Sequence, residues 1–234
     1  MTDSDRQSAP PKTVATSEDI AARLTDAVHE HRLQPGMKLN EDEVGEIFGV
    51  SRTIVRQALR TMAHAGLVSI ERNRGAFVAK PSIKDAREVF EARALLEPQT
   101  ARAAAERMTA SDVTMLATHI REEHAALADG KYGLALKLSG DFHVEIARIA
   151  DHDTIEAFVR QLVSRSSLVI ALYWRRRNAL CESHAHHALL EAFQNQDGDS
   201  AEELMKGHLL DLVSQLDLRE TEDTSVSLKT ALSE

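Results

Sequence analysis

At 234 residues the chain is long enough for a small domain plus a larger one, and its 43% hydrophobic but only 4% aromatic composition favours packed helices over a sandwich or barrel. A formal charge of -9 rules out a uniformly basic nucleic-acid binder, and a single cysteine, Cys181, excludes a disulfide framework within one chain. The longest wholly apolar run, Leu168 to Trp174, is far below the ~20 residues a membrane helix needs, so a soluble cytoplasmic protein without a membrane partner is expected.

Residues 1–16 are polar, carry two prolines and lack an apolar stretch, which reads as a disordered tail and not a signal peptide. Ser17 then caps a predicted helix to about Arg32, with Ile20, Leu24, Ala27 and Val28 on one side; Pro35-Gly36 ends it, and His29 and His31 are expected at the surface. A short helix follows from Asn40. Asn40 can accept from the first amides, Glu43 can reach back as in a capping box, and Leu39 can staple onto Val44. It stops at Phe48-Gly49, where glycine tolerates positive φ. Ser51 opens a second helix striped by Ile54, Val55, Ala58, Leu59 and Met62, whose other face presents Arg52, Thr53, Arg56, Gln57 and Arg60. Two helices joined by a tight turn, the second offering Arg, Thr and Gln from its first half, suit a DNA major groove. Thr53 and Gln57 fit base edges or phosphate, and Arg52 and Arg56 can fork onto guanine or phosphate. Two β-prone runs, Leu67 to Ile70 and Ala76 to Ala79, flank the basic turn Arg72-Asn73-Arg74-Gly75 and form a wing.

Charge supports double-stranded DNA as the partner. Residues 50–80 hold six basic side chains against one acid, Glu71, within an acidic protein. The string Val50-Ser51-Arg52-Thr53-Ile54-Val55-Arg56-Gln57-Ala58-Leu59-Arg60, with Gly66-Leu67-Val68 and Arg74-Gly75-Ala76-Phe77-Val78 behind it, resembles the winged helix-turn-helix of GntR-family bacterial transcription regulators. The resemblance implies DNA contacts for Arg52, Thr53 and Arg56, and approach of the wing-tip Gly75 to the minor groove. Asp42 stands where many members carry a basic residue, which argues against a contact there, and Ile54 replaces a common proline.

Lys80-Pro81-Ser82 marks a boundary between a DNA-binding unit at 17–80 and a helical unit at 81–219, with a flexible tail at 220–234. Helical stripes run over 83–107, 111–128, 131–150, 153–177, 182–196 and 198–218, separated by short polar breaks and by the basic run at 175–177. The expected fold is mainly α, a winged helix-turn-helix followed by an antiparallel six- or seven-helix bundle. Residues 1–80 balance at 11 basic and 11 acidic side chains, leaving 17 against 26 beyond, so the bundle carries the whole excess of acid and is not expected to bind DNA.

Three bundle helices place a histidine beside an apolar stripe. His143 sits with Phe142 and Ile146, above Ser139; His186 with Leu189, Leu190 and Phe193; His208 with Ala201, Met205, Leu209 and Leu212. Three imidazoles aimed at one interior suit a divalent transition metal such as Zn or Ni. Arg93 lies in an inward row with Ala86, Val89, Leu96 and Thr100, and Glu97 one turn on can pair with it; the other reading is an anion partner. Arg93-x-x-x-Glu97, Phe142-His143, His186-x-x-Leu189-Leu190-Glu191 and His208-Leu209 resemble the all-helical FCD-type ligand domain of the FadR-like branch of that family. This resemblance implies that Arg93 and Glu97 face a small carboxylate effector and that His143, His186 and His208 hold a metal. Ser139 stands where the branch usually has Asp or Asn, leaving water or an effector carboxylate to fill that position; Asp141 points elsewhere on the helix. The function expected is a homodimeric, ligand-responsive repressor that binds an inverted-repeat operator in the bacterial cytoplasm, nucleoid-associated when bound. The rival is a metal-dependent enzyme using the three histidines, although no H-E-x-x-H, G-x-S-x-G or P-loop pattern is present.

Overall fold

The computed structural model describes residues 15–174 and 183–219. The expected terminal tails therefore lie outside the described residues, apart from residues 15 and 16, and so do the basic break at 175–177 and Cys181. The described chain is mainly helical. It opens with α1 (Ser17–His29), which Thr16 caps: its hydroxyl accepts from the Asp19 amide and Asp19 returns the bond. That corrects both Ser17 as the cap and Thr16 as tail. After a turn comes a strand too short to anticipate, β1 (Lys38–Leu39). Leu39 is buried in the same core as Val44, its expected staple partner, and also pairs within the sheet.

The helix pair is α2 (Glu41–Phe48) and α3 (Arg52–His64), divided at Gly49, whose φ of 67° is the left-handed value that favours glycine. Asn40 caps α2 through the Asp42 amide rather than through a box with Glu43, and Ser51 occupies the cap position of α3 without a side-chain capping bond. The wing is β2 (Val68–Glu71) and β3 (Gly75–Val78), antiparallel, with Val68 opposite Val78 and Glu71 opposite Gly75. β1 adds to the far side of β3, giving the order β1-β3-β2. Ile20, Leu24, Val28, Val55, Leu59, Met62, Leu67 and Val78 bury their side chains in one core.

Six helices follow: α4 (Ile83–Arg107), α5 (Ala110–Ala128), α6 (Tyr132–Ile149), α7 (Asp153–Tyr173), α8 (Ser183–Gln194) and α9 (Gly198–Ser214). Ser82 with Asp85 and Thr109 with Asp112 form capping boxes at α4 and α5, and Asp197 caps α9. The described part of α7 stops at Tyr173, short of the expected 177. Their shared core is built from Phe90, Leu116, Ile120, Phe142, Ile146, Leu189, Phe193, Met205 and Leu209, with alanines where α4 needs close approach. No helix among the described residues is long and apolar enough to cross a membrane.

The head and the bundle meet along a seam between α1 and the α6–α7 pair. Leu168 of α7 is buried in the head's own hydrophobic core. His31 bonds through Nε2 to the Ser167 carbonyl at 3.1 Å, and Lys137 of α6 reaches Asp26 of α1 at 3.5 Å. His29 and His31, expected at the surface, are half-buried here because the bundle covers them. Gly133 lies so near the end of α1 that a Cβ built on it would overlap the Glu30 carbonyl. Gly133→Ala must push the two bodies apart. It is expected to cost about 1–3 kcal/mol, read as a Tm drop of roughly 2–4 °C per kcal/mol, with faster amide exchange confined to the seam; an unchanged melt and exchange pattern would contradict this account of the seam.

Candidate functional site

The outer face of the head collects the residues expected to meet DNA. Ser51, Arg52, Thr53, Arg56 and Gln57 are exposed along the first half of α3, while Val55, Ala58, Leu59 and Met62 of the same helix are buried. The wing tip places Arg72, Arg74 and Gly75 in solvent, its turn made possible by positive φ at Asn73 (63°) and Gly75 (102°). Acids hold three of the arginines in place: Asp42 pairs with Arg52, Glu41 with Arg56 at 2.8 Å and Glu71 with Arg74, which also stacks over Phe77. Exposed pairs of this kind are worth little, so a phosphate can displace the acid at small cost. Asp42, which had only argued against a contact of its own, is the partner that positions Arg52.

The bundle interior joins a second set. His143, His186 and His208 are buried, and one ligating nitrogen from each falls within 4.8 Å of the others. The Nε2 atoms of His143 and His208 are 3.1 Å apart, their rings stacked at 5.1 Å between centroids. Carboxylates orient two of the three rings. Glu97 accepts from His143 Nδ1 at 2.6 Å and Glu123 from His186 Nδ1 at 3.0 Å. A ring that donates through Nδ1 keeps a lone pair on Nε2, so each carboxylate sets the tautomer its histidine needs to act as a ligand.

Arg93 takes the paired arrangement. Its Nε donates to Glu97 at 2.5 Å, a second nitrogen to the other Glu97 oxygen at 3.2 Å, and a third to the Ser166 hydroxyl at 3.0 Å. Burial pushes the Glu97 carboxyl up, yet Arg93 and His143 outweigh it and hold it at about 2. At Glu123 burial wins and the carboxyl is pushed up to about 7, so in its ionised form, above that pH, it fixes the ligating tautomer of His186. Burial lowers His143 and His208 below the ordinary imidazole range, so both are neutral, the form that can ligate a metal.

Beside this network lies a cavity of about 280 Å³. Arg93, Ser139 and His143 line it; Glu97 does not, and instead stands behind His143, so its expected place facing an effector is corrected to one facing the imidazole and guanidinium. Glu123 and Ser166 were not anticipated. Glu123 was readable as an acid three residues after Ile120 and seven after Leu116, on the buried stripe of α5; nothing in the sequence singles out Ser166. The donor set fits a divalent metal: three imidazoles, two of them oriented by carboxylates, with a nitrogen spacing of 3.1 Å close to the ~3.3 Å that ligands 2.0–2.1 Å from a tetrahedral zinc keep.

The fold and these sites define a winged-helix DNA-binding protein with an all-helical regulatory body. Family models agree: residues 16–78 match "Bacterial regulatory proteins, gntR family" and residues 88–211 match "FCD domain". The transcriptional repressor RspR of Escherichia coli is 30% identical over 184 residues, spanning 77% of this chain and 79% of its own. The galactonate operon transcriptional repressor of E. coli is 26% identical over 215 residues, 82% of this chain and 92% of its own. The solved structure of E. coli McbR/YncC superposes with a TM-score of 0.77 at 18% identity, covering 86% of this chain and 97% of that one. The chain belongs to the GntR family, in its FCD-containing branch, and is a DNA-binding transcription regulator. The metal-dependent enzyme reading is set aside, since the family and these relatives regulate transcription.

Removing the Glu97 charge leaves Arg93 buried without its anion, so Glu97→Gln is expected to lose about 3–5 kcal/mol in urea unfolding. The pH dependence has a definite sign. With its folded pKa depressed from 4.5 to about 2, Glu97 contributes stability that is complete above 4.5 and disappears as pH falls towards 2. Glu123, raised to about 7, works the other way: its contribution is complete below 4.5 and is lost as pH rises through about 7. The acid limb should therefore flatten in Glu97→Gln and the neutral limb in Glu123→Gln; identical pH profiles in all three proteins would contradict both assignments.

Proposed function

We propose that the protein is a repressor that binds an inverted-repeat operator as a homodimer and answers to a small organic acid bound in the bundle together with a divalent metal. The observation that carries this reading is the buried meeting of His143, His186 and His208, two of them held in the ligating tautomer by Glu97 and Glu123. Such an arrangement has no stabilising purpose that apolar side chains would not serve better. A metal held by the three histidines supplies positive charge for an anion, and Ser139, short and buried one turn before His143, leaves room for water or a carboxylate. Arg93 lines the same cavity, although Glu97 already neutralises most of its charge; its role is to fix the wall and offer an edge to the acid. That the galactonate operon repressor is named for a hydroxylated carboxylate fits an acid as the effector class.

On the DNA side, Arg52, Thr53, Arg56 and Gln57 enter the major groove while Arg72, Arg74 and Gly75 approach the neighbouring minor groove. One α3 makes too few base contacts for tight specificity, so two heads related by a two-fold axis read two half-sites. The units at 17–80 and 81–219 thus divide reading from sensing. An acid alters operator affinity only through unequal affinity for two head arrangements.

Two measurements test this. In competition against a chromophoric chelator, His208→Ala is expected to abolish Zn²⁺ binding and Glu123→Gln to weaken it about 10- to 100-fold; wild-type affinity in both would remove the metal from the account. In gel shifts on duplexes selected from a random pool, Arg52→Ala and Arg56→Ala should each weaken specific binding about 5- to 150-fold. Undiminished binding by both folded variants would exclude α3 as the reading helix.

A further inference from the structure

The cavity beside His143 is not enclosed by the bundle alone. Ala22, Thr25, Asp26 and His29 of α1, all in the DNA-reading head, line it opposite Arg93 and His143. We propose that the effector site belongs to both bodies, and that a hydroxylated small acid bound there is read at its hydroxyl end by Thr25 and His29 of the head. This rests on the reading of the cavity as the acid's site and adds to it which residues set specificity and how the signal leaves the bundle.

Three observations carry the inference. First, the His29 Nε2 is buried and has no hydrogen-bond partner among the described residues. A buried ring nitrogen in that state is a standing cost that a bound hydroxyl removes. Second, the charges differ between the two ends. At the bundle end a metal held by the three histidines would supply the positive charge, Arg93 being already claimed by Glu97, whereas towards the head Lys137 is claimed by Asp141 at 2.8 Å and by Asp26 at 3.5 Å. A carboxylate is favoured at the first end and uncharged hydrogen-bonding groups at the second. Third, a volume of about 280 Å³ is ample for a small hydroxy acid.

The coupling follows from placement. The candidate DNA contacts are on α3 and the wing, so α1 can grip a ligand without competing with the operator. Contacts made to the head are lost when the head leaves the seam. The acid therefore favours the docked arrangement, and by reciprocity anything that undocks the head weakens the acid.

The test uses full-length protein loaded with Zn²⁺. Lactate, malate, citrate, gluconate and galactonate are screened by thermal shift, and the acid giving the largest shift is titrated by calorimetry against wild type, His29→Leu and Thr25→Val. Each variant should bind the acid about 5- to 20-fold more weakly while Zn²⁺ affinity is unchanged. The ligand-free melting temperature of His29→Leu should equal or exceed that of wild type, since it exchanges an unsatisfied imidazole for an apolar side chain. If both variants bind the acid as wild type does, the head has no part in the site and the proposal falls. Leu136→Trp, which fills the cavity from α6, then separates the two failures: lost binding leaves the bundle reading intact, and retained binding removes the acid from this cavity altogether. If no acid in the panel shifts the melt, both readings fall.

Discussion

Everything in the bundle depends on a buried chain of polar groups running Arg93, Glu97, His143. Taking a guanidinium and a carboxylate out of water is expensive, and the cost is met only because both Glu97 oxygens are used, one by Arg93 and the other by Arg93 and His143 together, while Ser166 takes a further Arg93 donor. Those bonds have fixed geometry, so they lock α4 against α6 and α7 more narrowly than apolar packing could. They also decide the chemistry. Because Glu97 claims Nδ1 of His143, the Nε2 lone pair must face inward, towards His208 at 3.1 Å. Glu123 does the same for His186 from a different helix.

The seam with the head is the second consequence. α6 and α7, fixed from inside by that network, present Gly133, Lys137, Ser167 and Leu168 outward to α1. Leu168 is counted in the head's hydrophobic core, so the head completes its burial only when docked. A small domain with three helices and a three-stranded sheet has little apolar surface to spare, which makes docking worth keeping. A change in the cavity can therefore reach α3 through α1, to which α3 is packed directly.

Much of this was legible in the chain because the signals were local and periodic. The stripe of Val55, Ala58, Leu59 and Met62 gave the buried face of α3, and by exclusion its exposed arginines. His143, His186 and His208 each sat on a strong apolar stripe, and their convergence was sound. Arg93 and Glu97, one turn apart on an inward row, took the paired arrangement, one of the two readings their spacing left open. What escaped was set by tertiary context. β1 is two residues long, too short for any alternation, and it is defined only by its pairing with β3. His29 and His31 read as surface since nothing near them in sequence reveals that α6 and α7 cover them. Glu123 was visible as an acid on a buried stripe, but its meaning required knowing that α8 packs there. Asn40 and Glu43 had the spacing of a capping box, yet the Asp42 amide took the bond, a choice between neighbouring donors that spacing does not decide.

Under the proposed function, the state of the bundle and the affinity of the head for DNA are one linked equilibrium. The most direct measurement is operator affinity at fixed salt, with the protein first stripped of metal and then saturated with Zn²⁺ and a bound acid. A change of about 5- to 150-fold, the range of ordinary allosteric coupling, is expected in one direction or the other. An operator affinity that is identical in both states, with the metal and acid shown to be bound, would contradict it.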